Sequence, residues 1–567
     1  MASQPTAAQG SAGTGSENRS GFTPQAPASR TGSEQRGTPV FSKYADLAGA
    51  ALVLIGFVWR LWLAQATFFN TDEAWHYSLA NQSSLAAAYK ASLTLLHPPL
   101  LVFVLYFWRH LGTSNLWLRL PAVLAGSALC WAVYKWLSRV FGRSAGWAGL
   151  ILVTLLPPMI ALSAELRQYT LMMVFAVGSA YLLEGALAKS SIGQMAGSCV
   201  CLYLAMLSHY SAFLFAAALG IYSMGRMIRE RPPAAVVAVW LVGQAAGVGL
   251  ASVLYVTQVS KLGRLYAGAH PLHNYADWYL SDWYFHPGQN RLLPFLFRGT
   301  LGVFRFTFGQ TAVAQIAACL FLVAVVLLAR ERPGPGRFRS RSTAILLVAP
   351  LVLSWAAVGA GLYPFGRTRQ CVFLALFAIA GVSVALVRMS RERAGIASLL
   401  ALAMVIVCHA RGTLQGRDML PLAEQRHEHM DQAVQFIRTE VSPEDLILTD
   451  KATSYQLAHY LCDQKPVEFE SRTGDYESFQ CKGLRVRSTG PNAGALTADT
   501  VWLEYSQHDY GTDLRSVWVV EGGWAGGLGE VLRSRYSAFS QIQVHSFGRY
   551  LEVVQLPHPA TTESRER

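Results

Sequence analysis

The stretch FFNTDEAWHYS, residues 68–78, sets Asp72 beside Glu73 directly after an apolar run that begins near Asp46. A carboxylate in such a place suits a general base that takes a proton from an attacking hydroxyl. The same pair also suits a plainer role, capping the N-terminus of the next short helix. Four more polar segments interrupt apolar sequence further on: LLHPPL with His97, SAELRQYTL with Glu165, Arg167 and Tyr169, LSHYS with His209, and YPFGRTRQ with Arg367 and Arg369. Guanidinium groups clamp phosphate oxygens. One acid set among several cations is thus a constellation that could combine proton transfer with anion binding. Each residue also has a structural reading. His97 could cap a helix, the two arginines of YPFGRTRQ could anchor lipid head groups, and Glu165 with Arg167 could form an interfacial ion pair worth less than about 1 kcal/mol if exposed.

The elements that must position these residues are set by composition. Of 567 residues, 52% are hydrophobic and 14% charged, too apolar for an ordinary soluble protein. Apolar runs of spanning length lie at about 46–66, 116–137, 145–162, 170–188, 193–209, 211–227, 234–256, 303–329, 343–362, 371–388 and 395–410. The expected fold is an α-helical polytopic membrane protein of about eleven spans. HPPLLVFVLYFWRH, 97–110, is shorter and is expected to lie along the surface, started by Pro98 and Pro99. With that segment not crossing, Lys135, Arg139, Lys189, Arg229, Arg330 and Arg391 fall in one set of short loops. Basic short loops stay cytoplasmic. The reading therefore gives a plasma (inner) membrane protein with a cytoplasmic N-terminus, outer loops at 67–115 and 257–302, and all the candidate residues at the outer face. Ionisable residues are sparse at mid-span depth, which argues against a proton-coupled transporter. The net charge of +13 sits in clusters between apolar runs, so no nucleic-acid partner is expected.

Of the 34 Asp and Glu residues, 22 lie from Asp418 onward, so the chain changes solvent near residue 410. Residues 1–42 read as a disordered cytoplasmic tail, 43–410 as the membrane domain, and 411–567 as an extracytoplasmic domain. In the last part HEHMDQAVQFIRTEV and SYQLAHYLC read as helices, whereas DLILTD, SVWVVEGG, QIQVHSF and YLEVVQL read as strands. This predicts a small α/β domain. Cys462 and Cys481 fall within it, and a disulfide and two free thiols both remain open. No motif demands a cofactor. A divalent metal is compatible with Glu165, or with His270, His273 and Asp277 at helical spacing, although an aromatic belt helix explains that segment more simply.

The order DE in the first outer loop, then HPPL, then LRLPAVLAG, a basic turn and SAELRQY resembles the C-fold membrane glycosyltransferases (glycosyltransferase family 39-like), in the branch of bacterial relatives of protein O-mannosyltransferases and the aminoarabinose transferase. The resemblance is closest over about 45–215. It implies transfer of a sugar from a polyprenyl phosphate to an acceptor hydroxyl on a lipid, glycan or protein, with the first-loop acid as base. Asp72 is the first choice and Glu73 the second. Arg167, Arg367, Arg369 and His97 are expected to bind the donor and its phosphate, with Glu165, Tyr169 and His209 in positioning roles. Relatives often carry an acid where Tyr169 stands, and some carry Lys in place of His97. The chain has no GxxxxGK[ST] or GxGxxG loop for a nucleotide sugar, in keeping with a lipid-carried donor. The alternative is a non-enzymatic membrane component, a lipid-linked glycan flippase or an assembly scaffold.

Overall fold

In the computed structural model, residues 39–95, 97–261, 280–331, 338–411, 425–463, 469–472, 476–488, 496–507, 515–522 and 527–556 are described, with 465 and 467. The tail up to residue 38, and His270, His273 and Asp277, lie outside the described residues. The chain divides after Leu47 into a short N-terminal unit, helical from Pro39, and a second unit, Ala48–Arg567, which holds every candidate residue.

The helices in chain order are α1 Pro39–Ala66, α2 Thr71–Ala80, α3 Leu85–Ser92, α4 Leu100–Trp108, α5 Asn115–Phe141, α6 Arg143–Leu155, α7 Pro157–Ala164, α8 Tyr169–Lys189, α9 Ile192–Ser208, α10 Ala212–Glu230 and α11 Ala234–Leu254. Then come α12 Leu292–Phe308, α13 Thr311–Arg330, α14 Phe338–Gly359, α15 Phe373–Met389 and α16 Ala394–Arg411. Among the described residues six helices are individually long and apolar enough to cross a membrane, and α6 with α7 forms a seventh such unit bent by 58°. The expected eleven spans are therefore not reproduced by helix length alone. The run 303–329 is not one helix. Gly309, at φ +75°, ends α12, and the Gln310 side chain caps Val313 N at the start of α13. α4 has 9 residues, which rise only about 14 Å at 1.5 Å per residue, less than half of a hydrocarbon core. It is a short helix, as expected for the segment 97–110.

The bend between α6 and α7 has a local cause. Pro157 and Pro158 have no N–H to give to the carbonyls of Val153 and Thr154, four residues earlier. Arg60, buried on α1, supplies both missing donors, with Nη2 3.0 Å from Val153 O and Nη1 3.0 Å from Thr154 O. His409 on α16 meets the next carbonyl, Leu155 O, at 2.8 Å. Freed backbone carbonyls in an apolar setting need such partners.

The C-terminal part carries strands β1 Leu446–Thr449, β2 Glu470–Arg472, β3 Tyr476–Cys481, β4 Leu484–Ser488, β5 Val517–Gly522, β6 Gln543–Ser546 and β7 Leu551–Leu556. They form one sheet in the order β2-β3-β4-β1-β5-β7-β6, with β1 parallel to β4 and β5 and the remaining pairs antiparallel. Helices α17 His427–Glu440, α18 Lys451–Leu461, α19 Ala498–Gln507 and α20 Leu528–Arg535 complete the α/β arrangement. The four strand-like sequence segments coincide with β1, β5, β6 and β7. Cys462, just past α18, is disulfide-bonded to Cys481 at the end of β3.

This sheet packs against the loop that precedes α2. Phe68 enters its hydrophobic core beside Ile447, Val486 and Trp518. Both backbone groups of Phe69 are bound by α18: its N–H donates to Tyr460 Oη at 2.7 Å, and its carbonyl accepts from Gln456 Nε2 at 2.7 Å. Asn115, at the start of α5, donates to Tyr460 Oη and is 2.9 Å from His459 Nε2.

Candidate active site

The two adjacent carboxylates have separate fates. Asn70 and Glu73 form a capping box on α2: Asn70 Oδ1 accepts from Glu73 N at 3.0 Å, and Glu73 Oε2 accepts from Asn70 N at 2.9 Å. Glu73 is fully buried and also takes Arg119 Nε at 2.7 Å, Arg119 Nη2 at 2.6 Å and Leu166 N at 2.7 Å. Arg119 in turn donates to the carbonyls of Ala64, Thr67 and Phe68. This ion pair stitches the end of α1, the start of α2 and the 165–168 turn together. The oxygens of Glu73 are committed to it.

Asp72, one residue earlier on the helix, points elsewhere. Its side chain keeps 22% exposure, and its Oδ2 lies 2.7 Å from Arg167 Nη1 and 3.9 Å from Arg369 Nη1. Arg369 also pairs with Glu165 at 3.0 Å. Burial opposes ionisation of Asp72, but Arg167 and then Arg369 outweigh it and hold the carboxyl below its ordinary value. Glu165 differs: burial pushes its pKa up, with Glu73 adding to the rise and Arg369 opposing it.

The turns that carry these residues are locally determined. α7 ends at Ala164, and Glu165 turns extended, with φ −98° and ψ 148°, before α8 begins at Tyr169. Gly366, at φ +143°, carries the 363–370 turn under the Trp283 ring, where an added Cβ would come within 2.6 Å of the indole. Thr368 then caps Gln370 N and sets the short 3₁₀ turn holding Arg369. Arg367 lies on the same turn and is half-buried.

Beside the ion cluster the histidines gather. The His97 ring is 5.8 Å from that of His76, 5.1 Å from that of His209 and 6.3 Å from that of Tyr169. Tyr169 accepts from Arg167 Nη2 at 3.3 Å, so the group adjoins the Asp72 pair. Burial, with Arg167 contributing, brings the pKa of His76 and of His209 down to about 3. Burial likewise takes that of His97 well below its ordinary value, helped by His209 and Arg167. These imidazoles are neutral, and His97 offers hydrogen bonds instead of charge. Among the described residues no group of three or more His, Cys, Asp or Glu side chains is placed to hold a metal ion.

Thus Asp72, Glu165, Arg167 and Arg369 form one ion cluster, and His97, Tyr169 and His209 adjoin it. Two neighbouring residues, Arg119 on Glu73 and His76 beside His97, had not been singled out in the sequence. Arg119 lies inside LRLPAVLAG with nothing to mark it as the partner of Glu73. His76, four residues after Asp72 and therefore on the same helical face, carried a readable signal.

Residues 96–255 match the family model described as dolichyl-phosphate-mannose-protein mannosyltransferase. No curated protein matches the chain. Among solved structures, ArnT from Cupriavidus metallidurans bound to undecaprenyl phosphate is 14% identical, with 90% of this chain and 97% of that chain covered and a TM-score of 0.49. The oligosaccharyltransferase AglB from Archaeoglobus fulgidus, in complex with an inhibitory peptide and a dolichol-phosphate, is 12% identical, with 74% and 64% covered and a TM-score of 0.44. The arabinosyltransferase EmbB from Mycobacterium smegmatis is 12% identical, with 79% and 45% covered and a TM-score of 0.34. The resemblance to C-fold membrane glycosyltransferases, first drawn from the order of the motifs, is borne out by the family match.

Proposed function

We propose that this chain is a multi-pass membrane glycosyltransferase that moves a sugar from a polyprenyl-phosphate donor to an acceptor hydroxyl, with Asp72 as general base. The carrying observation is that Asp72 is the accessible carboxylate of the pair, ionised and 2.7 Å from Arg167, while Glu73 is sealed against Arg119. In the reaction the acceptor oxygen attacks C1 of the sugar and its proton passes to Asp72. The bond from C1 to the phosphate oxygen breaks, and the polyprenyl phosphate leaves with its charge met by Arg167 and Arg369. Arg367 joins them from the same turn. Glu165 holds Arg369 until phosphate competes for it, and Tyr169 does the same for Arg167. Attack by the acceptor itself inverts the anomeric centre. The name of the matched family, which joins a lipid-phosphate sugar to an acceptor, supports the donor class.

The distribution of Lys and Arg supports a cytoplasmic N-terminus, with the site and the C-terminal sheet on the other side of the plasma membrane. A lipid donor also explains why the reacting groups are set among so many apolar helices. The flippase or scaffold reading finds less support, because Asp72 lies between two buried guanidinium groups and not in open water.

The test is sugar transfer by the purified full-length protein from radiolabelled polyprenyl-phosphate sugars, with the anomeric configuration of the product read by NMR. Transfer with inversion, abolished in Asp72→Asn protein that still inserts and folds, is the expected result. Unchanged turnover in that variant would remove the assignment.

A further inference from the structure

Phe68, Phe69 and Asn70, the three residues that lead into α2, each have a fixed partner. Phe68 has its side chain in the hydrophobic core of the C-terminal sheet, and its N–H donates to Gln425 O at 2.9 Å. Phe69 has both backbone groups bound by α18, through Tyr460 and Gln456, and its ring stacks on that of His459 with centroids 4.7 Å apart. Asn70 caps α2. Asp72 follows two residues later, so what fixes Phe69 also bears on where Asp72 stands.

α18 meets α2 again further along. Trp75 stacks on Tyr455 with the ring planes 2° apart, and Tyr77 meets the His459 ring edge-on at 5.3 Å. α18 is itself held at both ends. Asp450 caps its start by accepting from Thr453 N at 2.9 Å, Arg438 donates to the Tyr460 carbonyl at 3.0 Å, and the Cys462–Cys481 disulfide follows directly. From α5, Asn115 donates to Tyr460 Oη at 2.7 Å and accepts from His459 Nε2 at 2.9 Å. Arg119, one helical turn after Asn115, holds Glu73. The start of α2 is thus bracketed, because α5 reaches it directly through Glu73 and indirectly through α18 and Phe69.

The apolar contact of Phe68 would serve to dock the sheet, since hydrophobic burial has no direction. Hydrogen bonds do have direction, and the pair on Phe69 sets the backbone orientation from which α2 departs. Chemistry at Asp72 needs such precision, because a reacting group misplaced by about 1 Å can lose about a hundredfold in rate.

We propose that Tyr460 and Gln456 are positioning residues for the transfer reaction: through the backbone of Phe69, α18 of the C-terminal sheet sets the approach of Asp72 to the acceptor hydroxyl. This rests on the reading of Asp72 as general base, and it gives the C-terminal part a role in the chemical step.

The experiment measures steady-state transfer from radiolabelled polyprenyl-phosphate sugar by full-length Tyr460→Phe and Gln456→Met proteins, alongside their binding of bare undecaprenyl phosphate. Each substitution removes a hydrogen bond to Phe69 and keeps most of the side-chain volume. The turnover number kcat per folded molecule is expected to fall by about tenfold to a hundredfold. KM for the donor and the affinity for undecaprenyl phosphate should stay those of the wild type, because Arg167 and Arg369 lie on other turns. Thr449→Val loses a buried hydrogen bond to Val520 O within the sheet, away from Phe69, and should keep the wild-type kcat. It controls for a domain that is merely destabilised. In an Asp72→Asn background, where residual transfer is read from long incubations, Tyr460→Phe should cause no further loss, since a residue acting through Asp72 has nothing left to position. Wild-type kcat in both α18 variants, a loss matched by Thr449→Val, a raised KM in place of a lowered kcat, or losses that multiply in the double variant overturns the positioning role. No transfer by wild-type protein, or unchanged turnover in Asp72→Asn, overturns the base assignment and this inference with it. Full-rate Tyr460→Phe and Gln456→Met, beside a wild type that transfers and depends on Asp72, overturn this inference alone.

Discussion

Two ion clusters are buried in the helical part of the molecule, and they differ in what they leave unmet. One is the group of Asp72, Glu165, Arg167 and Arg369. The other is Glu184 on α8, which takes both oxygens to Arg226 Nη1 at 2.9 Å and also accepts from the Tyr222 hydroxyl. Arg226 sends its remaining donors to Glu230 at 2.6 and 2.8 Å. Glu184 follows Tyr169 by fifteen residues, about 22 Å along the helix. There every strong group is answered from within the protein. Around Asp72 the carboxylates are paired, but Arg167 Nε, one nitrogen of each imidazole beside it and the Gln168 side-chain amide have no hydrogen-bond partner, and one carboxylate keeps access. Burial and charge alone therefore do not distinguish the two clusters; hydrogen-bonding capacity left unmet does.

The contrast is broken most sharply at the two adjacent carboxylates. Asp72→Asn should cut transfer by about a thousandfold, the scale of a lost general base, with folded yield unchanged. Glu73→Gln should instead reduce the folded yield, because removing one partner of a buried pair costs about 3–5 kcal/mol; comparable folded yields of the two variants would contradict this division of roles. Next in size, Arg369→Lys keeps the charge but loses the forked geometry. It should lower kcat/KM for the lipid donor by about 10- to 100-fold in steady-state assays. Glu184→Gln serves as the control in the closed cluster. It should lower the thermal-unfolding midpoint by a few degrees, equivalent to about 1–3 kcal/mol, while turnover per folded molecule stays that of the wild type.

The smallest expected effect is on pH dependence. Because His76 and His209 are held at about 3, the rate should show no histidine inflection between about pH 8 and 6. A lowered Asp72 stays ionised down through the ordinary carboxylate range, whereas a raised Glu165 takes up its proton earlier as pH falls. The first acid inflection should thus belong to Glu165 and vanish in Glu165→Gln. An inflection near the ordinary histidine value would show that the imidazoles ionise.

Much of this was legible in one sequence. Long apolar runs, basic clusters and the shift in acidic content from Asp418 onward describe a helical membrane part followed by a sheet, because each obeys a local solvent rule. The ordered polar segments named all four residues of the ion cluster around Asp72. What stayed hidden depends on contacts between distant segments. The capping box in NTDE could be read locally, but whether Asp72 or Glu73 faces the site is decided by Arg119, 46 residues further on. Gly309 followed by Gln310 splits an apolar run that hydropathy joins. The binding of both backbone groups of Phe69 by α18 has no local signature.

The crease at Pro157 and Pro158 has a mechanical corollary. With Arg60 and His409 bound to the carbonyls that the prolines abandon, the elbow is a bolted joint and not a hinge. The turn bearing Glu165 and Arg167 is thereby anchored to the scaffold. Any rearrangement that admits a lipid head group has to be made by the segments facing that fixed wall.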